Sequence, residues 1–81
     1  MKLVVISAVW CPACLIMNNR LNKIDNDIEI IKYDYDTDIE LIKKYNVGTI
    51  LPVLILMDND KELGRLIGEQ SIKKIERFID R

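Results

Sequence analysis

Trp10-Cys11-Pro12-Ala13-Cys14 decides how this chain is read. The stretch follows an apolar run, Leu3 to Ile6, and opens a segment with helical spacing. The two cysteines, the only ones in 81 residues, therefore stand at a strand-to-helix junction. Thiols separated by two residues at such a place can close a disulfide with little chain movement. The first of them also meets backbone N–H groups that the start of a helix leaves unpaired.

Three readings of the pair compete. A structural zinc site wants four Cys or His ligands, and the chain has two Cys and no His, so zinc would need ligands from a second chain. A structural staple is disfavoured because stabilisation by a disulfide grows with the loop it closes. This short loop would contribute only about 2 kcal/mol before strain is subtracted. A dithiol that opens and closes is the reading favoured by this spacing beside a strand-helix-strand pattern.

Composition narrows the setting. The length suits one domain, residues 1–81, too short for two independent cores. Apolar residues make up 49% and charged residues 31%, a globular balance. Twelve basic and 13 acidic residues are mixed along the chain for a net charge of −1, which leaves no electrostatic footprint for nucleic acid. Met1-Lys2 ahead of Leu3 to Trp10 has the outline of a short signal peptide with Cys11 as a lipidated cysteine. A single basic residue, the lack of a small-residue cleavage site and the better fit of the run to a strand argue against it. The next apolar run, Ile50 to Met57, is far short of a membrane span. A cytoplasmic protein that does not engage a membrane is expected, and there an isolated pair of this kind is more often catalytic than structural.

Outward from the cysteines, Lys2 to Ser7 (KLVVIS) is apolar and β-branched without clean alternation, which predicts a central strand buried on both faces. From Pro12 to about Ile24, Cys14, Met17, Leu21 and Ile24 recur three and four apart, with Asn18, Asn19, Asn22 and Lys23 falling elsewhere. That is a helix with one buried stripe, and Pro12 is tolerated at its first position. Asp25-Asn26-Asp27 signals a turn, and Ile28 to about Tyr35 a second strand, completing a right-handed βαβ unit. Thr37 with Glu40 reads as a capping box for a short helix ending near Asn46 and Gly48. Pro52 to Met57 and Glu62 to Ile67 form a hairpin about the turn Asp58-Asn59-Asp60. Ser71 then caps a last helix whose apolar face is Ile72, Ile75, Phe78 and Ile79.

The resulting order, β-α-β-α-β-β-α with Trp-Cys-x-x-Cys after the first strand, resembles the thioredoxin fold in its minimal form. This is an α/β architecture of a four-stranded mixed sheet flanked by three helices. Lys32, Asp36 and Tyr45 are similar to a family pattern. Tyr45-Asn46-Val47-Gly48-Thr49-Ile50-Leu51-Pro52 resembles the segment leading to the family's cis-proline, with one residue more than in ordinary thioredoxins. Gly68 matches the substrate-loop glycine. The resemblance covers nearly the whole chain but not the extra strand and helix that begin full-length thioredoxins, which makes its extent that of a glutaredoxin or small redoxin. Two departures stand out. Val5 occupies the position of a buried Asp implicated in proton transfer to the second cysteine. The dipeptide between the cysteines is Pro-Ala, where thioredoxins have Gly-Pro and glutaredoxins Pro-Tyr.

What the site's chemistry and the resemblance imply is a thiol-disulfide oxidoreductase acting on protein disulfides. Cys11, at the positive end of the first helix, is placed to attack as a thiolate, and Cys14, one turn on, resolves the mixed disulfide. The binding rim would be Trp10, Pro12 and Ala13 on one side and Leu51, Pro52 and Gly68 on the other, with the backbone of Leu51 pairing with the substrate chain. Duller roles stay open: Trp10 as a cover for the core, Pro52 as an ordinary trans strand-start proline, Gly68 as a turn residue, Lys32 as a solvated strand lysine. No cofactor or metal is implied, and a monomer is expected, recharged by a thioredoxin reductase-like enzyme or by glutathione. A glutathione-dependent, glutaredoxin-like reductase is the alternative in the same chemistry, although Ile50-Leu51-Pro52 and Gly68-Glu69-Gln70-Ser71 depart from its signatures. A non-enzymatic redox sensor or binding module is the alternative of another class.

Overall fold

β1 (Lys2–Ser7) runs through the middle of a four-stranded sheet of order β2-β1-β3-β4. The computed structural model describes residues 1–24 and 26–80. Asp25 of the anticipated turn and Arg81 at the anticipated end of the domain lie outside the described residues. β1 pairs in parallel with β2 (Glu29–Asp34), Lys2 opposite Glu29 and Ser7 opposite Asp34. On its other edge it pairs antiparallel with β3 (Val53–Asp58), Ile6 opposite Val53. β4 (Lys61–Ile67) closes the hairpin with β3, and a bulge lies between Leu56 and Met57.

Because successive strand side chains point to opposite faces, β1 and β3 feed two cores at once. Val4, Ile6, Val53 and Ile55 join Cys11, Cys14, Tyr45 and Leu51 on the face where α2 (Ile39–Lys44) packs through Leu41 and Ile42. Leu3, Val5, Leu54 and Leu56 face Met17 and Leu21 of α1 (Pro12–Asn22) and Ile75, Phe78 and Ile79 of α3 (Ile72–Ile79). The unalternating apolar run of β1 is explained by this double burial. The observed order and sheet match the expected minimal thioredoxin fold.

Three local expectations need correction. α1 ends at Asn22, not Ile24, because the N–H groups of Lys23 and Ile24 turn back to the carbonyls of Arg20 and Leu21 in a tightened last turn. The capping box at Thr37 does not form. Asp38 stands at the N-cap of α2, and its carboxylate accepts the Asp34 N–H at 2.8 Å, competing with the helix for the same side chain. Asn18 does not lie fully on the wet side of α1; it is half-buried, and its Oδ1 is sealed without a hydrogen-bond partner. The cap of α3 is as expected, with Ser71 Oγ accepting the Lys74 N–H.

Candidate active site

Cys11 is the N-cap residue of α1, extended at φ −96° and ψ 111°, and Pro12 follows at the first turn, where its missing N–H costs nothing. The chain is brought there by the turn after β1, closed by the Cys11 N–H on the Ala8 carbonyl at 3.2 Å. Cys11 Sγ replaces the oxygen of an ordinary N-cap: it accepts the Cys14 N–H at 3.3 Å, which also reaches the Cys11 carbonyl at 3.1 Å. An N–H held on a sulfur supports negative charge as it develops there. Cys11 also donates to the Leu51 carbonyl at 3.9 Å, a long contact that ties the site to the loop before β3.

Both cysteines are free thiols, and their surroundings differ. Both residues are buried, Cys11 with 7% of its surface in solvent and Cys14 with 2%, so Cys11 is the more exposed residue by a narrow margin. Burial pushes the Cys14 thiol up to about 11. A side-chain hydrogen bond with Cys11 adds to the rise, and a backbone hydrogen bond with Ala8 opposes it. Among the described residues no polar or charged side chain is buried, and Val5 is wholly enclosed by apolar neighbours. No buried carboxylate there stands ready to take the proton of Cys14.

Around the thiols, the anticipated rim is assembled from three loops. Trp10 is 59% exposed, which removes the reading of it as a core cover. Its Nε1 donates to Asp36 Oδ2 at 2.7 Å, and its ring meets Tyr35 edge-on at 6.4 Å. Pro12 is exposed and Ala13 half-buried against the core. The Leu51–Pro52 peptide is cis, as the resemblance implied, and both residues are buried. Among the described residues the Leu51 N–H has no hydrogen-bond partner, so an extended chain could pair with it. Gly68 has φ +84°, a left-handed conformation that disfavours any side chain, and its N–H donates to the Pro52 carbonyl at 2.8 Å. The two loops of the rim are thereby joined backbone to backbone. Lys32 is exposed on β2 opposite Val5, a solvated strand lysine.

Sequence reasoning missed other contributors. Ile50 and Ile67 are exposed beside Leu51 and Gly68 and extend the apolar rim; their position next to the two anticipated rim residues was the available signal. Asp36 is singled out in the sequence only as part of the family pattern, and its pairing with Trp10, 26 residues away, left no trace there.

The family pattern described as Thioredoxin matches residues 1–81. The chain belongs to the thioredoxin family. A thioredoxin from Schistosoma mansoni, in its reduced form, is similar at 32% identity and a TM-score of 0.73 over 98% of this chain and 77% of that one. Trxlp from Edwardsiella tarda is similar at 28% identity and a TM-score of 0.83, covering 99% and 84%. A mutant thioredoxin from Halobacterium salinarum shares the fold at a TM-score of 0.89 and 22% identity, covering 98% and 71%. Among curated proteins none matches this sequence significantly. Thioredoxin membership and the cysteine spacing support thiol-disulfide oxidoreductase chemistry in general.

Proposed function

We propose that this thioredoxin-family chain reduces disulfides in protein substrates by dithiol exchange, with Cys11 as nucleophile and Cys14 as resolving thiol. The observation that carries the reading is the unequal pair: Cys11 has an N–H donor on its sulfur and a little solvent access, while Cys14 is sealed and its proton is held by burial. Cys11, as thiolate, attacks one sulfur of the substrate disulfide; the new S–S bond is the mixed disulfide, and the other substrate sulfur leaves as a thiolate that takes a proton from water. Cys14 then loses its proton to solvent and attacks Cys11 Sγ. This closes the Cys11–Cys14 disulfide and releases the second substrate sulfur. Two electrons pass from the protein to the substrate, and a dithiol donor or two molecules of glutathione restore them.

Substrate recognition in this reading uses the apolar rim of Trp10, Pro12 and Ala13, with the open Leu51 N–H and the Pro52 and Gly68 loops opposite. Backbone pairing at Leu51 suits extended substrates of varied sequence, since it reads main chain rather than side chains.

The test is reduction of insulin disulfides by the purified protein, driven in parallel by NADPH with thioredoxin reductase and by glutathione with glutathione reductase. Turnover driven by the reductase is the expected result. Turnover with glutathione alone would move the assignment to a glutaredoxin-like reductase, and no turnover with either would make the chain a sensor or binding module.

A further inference from the structure

The loop that carries Gly68 is held from behind by the same helix that carries both sulfurs. Arg20, on the third turn of α1, donates from a guanidinium nitrogen to the Gln70 carbonyl at 2.7 Å. The same nitrogen lies 3.3 Å from a carboxylate oxygen of Glu69. One turn earlier on the helix, the sulfur of fully buried Met17 accepts the Gln70 N–H at 3.3 Å. Gln70 therefore has its N–H and its carbonyl tied to residues three apart on one helix face. Its side-chain amide in turn donates to the Ile67 carbonyl at 2.9 Å and braces the loop across Gly68.

These contacts close a ring. Cys11 Sγ touches the Leu51 carbonyl, the Pro52 carbonyl accepts the Gly68 N–H, and Gln70 returns the chain to Met17 and Arg20. Arg20 is nine residues beyond Cys11 on a rigid helix, about 14 Å away, too far to act on the sulfurs directly. A charge-assisted hydrogen bond from a half-buried guanidinium to a backbone carbonyl is among the stronger single contacts available to a loop.

We propose that Arg20 is a positioning residue for disulfide exchange: by clamping Gln70 and Glu69 it fixes the Gly68 side of the rim relative to the thiols, and so sets affinity for extended protein substrates while leaving the exchange step unchanged. The inference rests on the protein-disulfide reading above. A small disulfide that reaches Cys11 without spanning the rim should not sense Arg20.

Arg20→Gln keeps the aliphatic stem and some polarity while removing the charge. Its KM for insulin should rise about three- to tenfold with kcat within about twofold, and its second-order rate with the small aromatic disulfide 5,5′-dithiobis(2-nitrobenzoate) should stay within about twofold. Amide exchange at Gly68 and Gln70 should accelerate in the variant while exchange in β1 does not. Arg20→Lys, which keeps the charge but not the planar donor fork, should recover part of the loss. Unchanged KM and unchanged exchange in Arg20→Gln would overturn the proposal, as would equal losses with insulin and with the small disulfide. If the wild-type protein fails to reduce insulin, the functional reading falls separately, and the exchange measurement still decides whether Arg20 holds the loop.

Discussion

The indole N–H of Trp10 donates to Asp36 at 2.7 Å, fastening the residue before Cys11 to the segment that leaves β2. With the ring edge against Tyr35, this bond holds a largely exposed aromatic face in one orientation beside Cys11. Asp36→Ala should let the ring move. KM for a protein disulfide should rise about three- to fivefold, the effect of losing about 1 kcal/mol of hydrogen bonding. Trp10 is the sole tryptophan, so its fluorescence anisotropy reports the change directly and should fall. Unchanged anisotropy would show that the ring is held by something else.

The buried thiol of Cys14 links stability to alkaline pH. Its ordinary value is 9.0 and the folded protein raises it to about 11. Below 9 both states keep the proton and the contribution is fully present; as pH rises the unfolded chain loses the proton first, and stability falls until the folded thiol also ionises near 11. Urea titrations of the reduced protein at pH 8, 10 and 11 should show this decline, and Cys14→Ala should flatten it. Release of substrate from the mixed disulfide should also speed up with rising pH, since the step needs the Cys14 thiolate and no buried carboxylate among the described residues assists.

Asn46 closes α2 with φ 53°, and beyond it the Val47 N–H reaches back to the Ile42 carbonyl at 3.1 Å, a left-handed helix stop that leads the chain toward Pro52. Asn46→Gly should be neutral or slightly stabilising. Asn46→Val, β-branched in a left-handed position, should cost about 1–2 kcal/mol in urea denaturation. Equal stability of the two variants would contradict this account of the turn.

Arg65 of β4 binds both oxygens of Glu62, at 2.7 and 2.6 Å, and donates to the Tyr45 carbonyl at the end of α2. The guanidinium holds the Glu62 carboxyl below its ordinary 4.5, so the pair's contribution is present above 4.5 and lost as pH falls through the lower, folded value. Glu62→Gln should make the acid limb of a stability-against-pH profile shallower and leave the neutral plateau little changed, because the pair is near the surface. An unaltered acid limb would mean the pair is not coupled to folding.

The element order was legible because its signals are local: the β-branched run of β1 has the anticipated bounds, and Ser71 caps α3 as its position suggests. The cysteine pair was legible for the same reason, through spacing and place. What escaped was long-range or competitive. Arg20 and Gln70 are 50 residues apart, and no periodicity in either segment points to the other. Asp38 could serve either a helix cap or the Asp34 amide, and only the folded turn decides in favour of the amide. Ile50 and Ile67 stay exposed beside Leu51 and Gly68, where their local apolar pattern reads the same as one bound for the core.

Covalent trapping separates the roles proposed for the two thiols, because only the attacking sulfur forms the mixed disulfide. Cys14→Ser incubated with native insulin should accumulate an adduct linked through Cys11 Sγ, identified by non-reducing mass spectrometry and released by dithiothreitol. Cys11→Ser should accumulate none, because its remaining thiol is sealed and keeps its proton at neutral pH. Equal trapping by the two variants, or an adduct through Cys14 alone, would contradict the assignment.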